Sequence, residues 1–210
     1  MTTPNLVEVF TEEPSMKEFL AVLLPRIEPQ AAFVIHSFDG KTNLLKKLPA
    51  RLNGLARYHA GPVVVVVDRD QQDCHDLKRQ LDEFVTKAGA GTLTQVRAGG
   101  RRSAMTVVSR IAVEELEAWY FGDEAAVRAA YPAVPSFAAK SVYRDPDAIG
   151  GGTWEAFSRL VSKVPVHRGG LAKIQAARDI APHMNIEKNR SASFRVFRDG
   201  VREILTVGEK

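Results

Sequence analysis

Val63-Val64-Val65-Val66-Val67-Asp68-Arg69-Asp70 decides the fold. Five consecutive valines are apolar on both faces, and such a run suits the middle of a parallel sheet covered by helices on both sides. Two carboxylates follow where that strand must end.

Working outward, Leu6 to Thr11 reads as a first strand. Pro14 and Ser15 then open a helix whose Phe19, Leu20, Leu23, Leu24 and Ile27 form a stripe facing a sheet. Ala32 to Ile35 is a second strand. Lys41 to about His59 is a second helix with Leu44, Leu45, Leu48, Leu52 and Leu55 as its apolar stripe, and Pro49 is expected to kink it. Downstream, Cys74 to Lys87 is a third helix, and Gln95-Val96 and Met105 to Val108 are expected strands. The alternation βαβαβα predicts an α/β fold, a Rossmann-like core with a mainly parallel sheet, right-handed crossovers and flanking helices.

Beyond Val113 the pattern changes. Glu114 to Phe121 and Asp123 to Tyr131 read as helices. Tyr131 to Gly152, with Pro132, Pro135, Pro146 and three consecutive glycines, reads as loop. Trp154 to Val164, Leu171 to Ile180 and Ser193 to Leu205 read as helices again. The expected division is an α/β core over residues 1–122 and a helical C-terminal subdomain over 123–210 packed on it.

The 210 residues suffice for one sizeable hydrophobic core, and 45% hydrophobic with 26% charged residues excludes a disordered chain. No apolar run approaches the roughly 20 residues that cross a bilayer, so no membrane association is expected. The N-terminus lacks the stretches of a secretion signal, and Cys74 is the single cysteine, which together predict a reducing cytoplasm. The net charge of +4 is unevenly spread. Gly40 to Pro62 holds Lys41, Lys46, Lys47, Arg51 and Arg57 without an acid, and Phe84 to Val113 holds Lys87, Arg97, Arg101, Arg102 and Arg110 without an acid. Such stretches mark either a phosphate-backbone surface or solvated helix faces. Lys41, Lys46, Lys47, Arg101 and Arg102 are the candidates for contact with nucleic acid.

Glu12 and Glu13 stand at the end of the first strand, Asp68 and Asp70 at the end of the third. Ligands of open parallel sheets bind in the crevice outside the carboxyl ends of the strands. Residues i and i+2 of an extended strand point to one side, which would let Asp68 and Asp70 converge. Carboxylates gathered in one crevice repel one another unless a hard cation such as Mg2+ or Mn2+ neutralises them. The alternative for either aspartate is a capping or turn residue. Glu114 and Glu117, three apart in one helical turn, are candidates for a further ligand, with Glu117 preferred. For Glu114 a helix start favoured by the macrodipole is an equal reading.

The segment Thr11-Glu12-Glu13-Pro14-Ser15 after a strand, followed by Asp68-Arg69-Asp70 after the valines, resembles the TOPRIM fold of topoisomerases, primases and OLD-type nucleases. Within it the chain is similar to an uncharacterised bacterial family of domains of unknown function, through Gly40-Lys41, Leu44 to Pro49, Glu114 to Trp119 and Ser193-Phe194-Arg195. The resemblance spans nearly the whole chain. It implies a metal-dependent phosphodiesterase acting on DNA or RNA, with Glu12 as metal ligand or general acid/base and Asp68 and Asp70 as the metal pair. It also implies a partner ATPase of AAA or ABC type in phage-defence or toxin systems. Where the superfamily has glycine after the glutamate, this chain has Glu13 and Pro14, so either Glu12 or Glu13 can be the ligand.

Two other classes stand beside this reading. One is a non-catalytic module that docks to an ATPase. The other is a small-molecule phosphohydrolase with Asp68 as nucleophile, although Gln72 stands where dehalogenase-type phosphatases have Thr or Val. Gly40-Lys41-Thr42 is not a Walker loop, because Ile35 occupies the position of its first glycine. His167-Arg168-Gly169-Gly170 reads as a phosphate contact or as a turn before the next helix.

Overall fold

A computed structural model describes residues 5–58, 61–100 and 103–207. The strands β1 (Asn5–Thr11), β2 (Ala31–Ser37), β3 (Pro62–Asp68), β4 (Gly91–Thr92) and β5 (Thr106–Ala112) form one sheet in the order β2-β1-β3-β5-β4. All neighbours pair in parallel, with Phe10 beside Val65 and Asp68 beside Ala112. The expected α/β class with a parallel sheet is what the chain adopts.

Alternation along β3 divides the valine run between two cores. Val64 and Val66 join Val7, Val9 and Val108 on one face, against α1 (Pro14–Ile27) and α9 (Ala192–Val207), with α8 (Lys173–Ile180) packed on α1. Val63, Val65 and Val67 join Phe10 and Val107 on the other, against α2 (Lys41–Tyr58) and α3 (Cys74–Lys87). Both faces are dry, which is why the run shows no polar alternation. The short helices α4 (Leu93–Arg97), α5 (Leu116–Phe121), α6 (Glu124–Ala130) and α7 (Thr153–Val161) add their buried residues to the first of these cores. Among the described residues no helix is long and apolar enough to cross a membrane.

Two expectations are corrected. Gln95 and Val96 lie in a helix, not a strand. Thr92 caps α4 through its side chain, accepting from the Gln95 N–H at 3.1 Å, while Gln95 Oε1 accepts from the Thr92 N–H at 2.9 Å. That reciprocal capping box satisfies two free amides and starts a helix where β-branched residues alone suggest a strand. The helix expected from Glu114 begins only at Leu116, because Glu114 adopts a left-handed φ of 64°. Pro49, the expected kink, lies inside α2, which runs on to Tyr58.

The chain runs from β1 outward to β2, then returns to place β3 on the other side of β1. This reversal opens a crevice between the carboxyl ends of β1 and β3, the position where open α/β sheets bind ligands.

Candidate functional site

Glu12 leaves β1 into this crevice and is 6% exposed. Its Oε2 accepts from the backbone N–H of Asp68 at 3.3 Å, joining the ends of β1 and β3. Glu13 Oε2 accepts from Ser15 Oγ and from Lys173 Nζ of α8, both at 3.3 Å. Asp68 is 7% exposed, and its Oδ1 has no hydrogen-bond partner among the described residues. Glu117, in the first turn of α5, is 2% exposed.

Burial is the main force on these acids. It pushes Glu12 up to about 7, reinforced by Asp70 and Glu13 and opposed by Lys41 and the Asp68 N–H. It pushes Glu117 up to about 7 as well, against Lys173 and with help from Glu115 and Glu13. Asp68 rises well above the usual carboxylate range through burial and then through the charges of Glu12, Glu117, Glu13 and Asp70. These groups titrate as a mutually repelling set.

Asp70 is placed differently from the sequence expectation. It does not continue an extended strand beside Asp68, but adopts a left-handed φ of 51°. Its N–H donates to the Glu114 carbonyl at 2.9 Å, and Glu114 is the other non-glycine residue with positive φ among the described residues. Arg69 strengthens this joint, donating from its N–H to Ala112 O and from Nη2 to Glu114 Oε1, both at 2.9 Å. Two left-handed residues bonded to each other at the ends of β3 and β5 concentrate backbone strain at the crevice rim. Lys41 is largely buried, and its Nζ donates to Asp70 Oδ2 at 2.6 Å and to Arg69 O at 3.0 Å.

Lys173 was not found from the sequence. It lies about 160 residues from Glu13, and no local pattern marks it. Burial works against its ammonium, but Glu117, Glu13 and Glu115 outweigh that and raise it above the usual lysine range. Glu115 caps α7, accepting from the Trp154 N–H at 2.9 Å. Beside the rim lies a cleft of about 650 Å³ lined by Arg69, Asp70, Glu114, Glu115, Asp147 and Gly150 among others.

The basic candidates separate. Lys46 and Lys47 are exposed on α2. Arg101 and Arg102 lie outside the described residues. Of the rest of their stretch, Arg97 pairs with Glu203, and Arg110 donates to Val196 O at 2.9 Å and Ser109 O at 3.0 Å. His167 is buried in a turn before α8, with Nδ1 accepting from the Ala172 N–H at 3.3 Å.

Among the described residues no three acids, imidazoles or thiolates already stand close enough together to grip a metal ion. The donor set nevertheless fits a hard divalent cation. Its atoms are carboxylate oxygens, Asp68 Oδ1 is buried without a partner, and neighbouring charges raise the acids that a cation would relieve.

A five-stranded parallel sheet with buried acids at its switch point defines an open α/β protein with a crevice at the carboxyl ends of its strands. The family model described as domain of unknown function (DUF4276) matches residues 11–202, and the chain belongs to that family. No curated protein matches it. Among solved structures it is similar to the C-terminal region of the Xanthomonas campestris pv. campestris OLD protein, at 17% identity and a TM-score of 0.50, over 98% of this chain and 96% of that one. The C-terminal region of the Burkholderia pseudomallei OLD protein matches at 17% identity and a TM-score of 0.49, over 95% and 98%. At this identity the likeness is one of fold, and it agrees with the expected resemblance to an uncharacterised TOPRIM-like family related to OLD proteins.

Proposed function

We propose that this chain is a phosphodiesterase acting on nucleic acid and dependent on Mg2+ or Mn2+. The observation that carries the reading is the buried, unpartnered Oδ1 of Asp68, set among Glu12 and Glu117 at the switch point of the sheet. Glu12, Asp68 and Glu117 would hold the ion, with Asp70 joining them from the rim. A bound divalent ion supplies charge stabilisation to a phosphodiester undergoing in-line displacement. Lys41 is tied to Asp70, so engagement of Asp70 elsewhere frees its ammonium for a phosphate oxygen. Lys173 sits beside Glu13 and Glu117 and balances part of their charge. Lys46 and Lys47 would bind the phosphate backbone, and an ATPase of AAA or ABC type is the expected partner.

The test is Mn2+ titration calorimetry beside cleavage assays on DNA and RNA, with and without a co-expressed ATPase. Wild type should bind and cut, while Asp68→Asn should lose both. Equal ion binding by the two proteins would remove the site. A second reading, a non-catalytic docking module, draws support from the Lys41–Asp70 and Lys173–Glu13 ion pairs, which satisfy two of the acids without any metal ion. Ion binding without cleavage of either nucleic acid under all these conditions would favour it.

A further inference from the structure

Tyr120 is another buried polar group near this crevice with no hydrogen-bond partner among the described residues. It follows Glu117 by three residues on α5, so the two side chains share one helix face. Its ring is held edge-on by Phe19 of α1 at 5.5 Å and against Phe157 of α7 at 5.1 Å. The residue is 1% exposed, and its hydroxyl lies within electrostatic reach of Glu117 and Asp68.

A buried phenol almost always finds a hydrogen-bond partner, because leaving it unpaired forfeits its hydration. Among the described residues Tyr120 Oη has none, and neither has Asp68 Oδ1. Tyr131, nearby on the same apolar cluster, shows the ordinary arrangement: its hydroxyl donates to Asp179 Oδ2 at 2.9 Å. Other buried atoms among the described residues are also unpaired, namely Arg69 Nε, Ser109 Oγ, Glu114 Oε2 and His167 Nε2, but Tyr120 Oη is an unpaired donor on the same helix face as Glu117.

We infer that Tyr120 is a positioning residue for the cation site, its hydroxyl donating to the Glu117 or Asp68 carboxylate once these turn to grip a divalent ion. A ligating carboxylate has a second oxygen to satisfy, and a donor fixed by aromatic packing sets its orientation. The aromatic clamp from α1 and α7 keeps the phenol in place before the ion arrives. This inference rests on the cation reading above.

Tyr120→Phe removes the hydroxyl and keeps the ring. Calorimetry should show Mn2+ affinity falling roughly tenfold to a hundredfold. In chelator the variant should melt at the wild-type temperature or above it, because no partner is left behind. Tyr131→Phe is the opposite control, melting lower in chelator because Asp179 loses a donor, and binding Mn2+ as wild type does. Wild-type affinity in Tyr120→Phe overturns the inference and leaves the cation site intact. A loss of metal-free stability matching that of Tyr131→Phe, or a failure to fold, also overturns it by making the hydroxyl structural. If wild type itself takes no Mn2+, the cation reading falls and this inference with it.

Discussion

Glu12 and Glu117 are carboxyls that the folded chain holds near 7, and their ordinary values lie near 4.5. Between those values the folded state keeps protons that the unfolded state has released. Metal-free stability must then fall as pH rises, by up to about 1.4 kcal/mol per pH unit for each group. In chelator, the melting temperature should drop between about pH 5 and about pH 8, and Glu12→Gln should flatten that slope. Saturating Mn2+ at the upper end should restore it. A wild-type melting temperature that does not change with pH would mean that the acids are not desolvated. The positions of Glu12 and Asp68 were legible from the sequence, because a strand end is marked by the loss of apolar residues. The conformation of Asp70 was not. Nothing in Asp68-Arg69-Asp70 announces a left-handed residue, and the bond from Asp70 N–H to Glu114 O depends on a partner 44 positions away.

Elements are joined in this chain by contacts that the sequence shows only as separate motifs. Trp119 of α5 donates from Nε1 to Ser193 Oγ at 2.9 Å and packs on Phe194 and Phe197 of α9. The Glu114 to Trp119 and Ser193-Phe194-Arg195 stretches thus meet in space. Asn189 completes the joint, giving its Nδ2 to Trp119 O and accepting from Ser191 N–H, both at 2.9 Å. Gly122, which ends α5, lies directly against it: a Cβ there would come within 1.9 Å of Asn189 Oδ1 and 2.9 Å of Ser191 N. Gly122→Ala should therefore overpack a site that cannot yield, costing about 2 kcal/mol or more and lowering the melting temperature by roughly 5 °C. Gly54, on an open face of α2 with nothing within 4 Å, is the control, and its change to Ala should be neutral or stabilising by about 1 kcal/mol. Equal melting of the two variants would show that the joint is loose. Elements with strong periodicity were readable: α3 spans Cys74–Lys87 as expected. The short α4 was misread because five residues carry too little periodicity to outweigh β-branched side chains, and its capping box decides.

The whole molecule is built on two unequal cores, and the larger one needs the C-terminal helices. Phe19, Leu23 and Leu24 of α1 and Val64, Val66 and Val108 of the sheet share an apolar cluster with Phe157, Ile180, Phe194 and Phe197. Arg26 reinforces it from α1, donating to Ala181 O at 2.8 Å and Met184 O at 2.6 Å. At about 1.5–3 kcal/mol for each large apolar side chain, re-exposing that face exceeds the 5–15 kcal/mol by which domains are stable. Residues 1–122 expressed alone should show no cooperative melt; a sharp transition would establish an autonomous core. Charge is the other property of the whole surface. Two acid-free basic stretches were visible in the sequence, but which of their cations remain free depends on what packs over them. Arg97 and Arg110 are engaged by α9, and Lys41 by Asp70, whereas Lys46 and Lys47 stay exposed on α2. Lys46 and Lys47 begin about 8 Å along α2 from Lys41, at 1.5 Å per residue, on the helix that starts at the crevice. If nucleic acid reaches the crevice over α2, each lysine releases counterions from the phosphates it meets. Changing both to Gln should reduce the slope of log affinity against log salt by about 0.9 per lost contact on duplex and about 0.7 on single strands. Arg110→Gln should lower the melting temperature and leave that slope unchanged, since its guanidinium is spent on Val196 O and Ser109 O. A slope that survives loss of both lysines, or one that falls with Arg110→Gln, would move the binding surface away from α2.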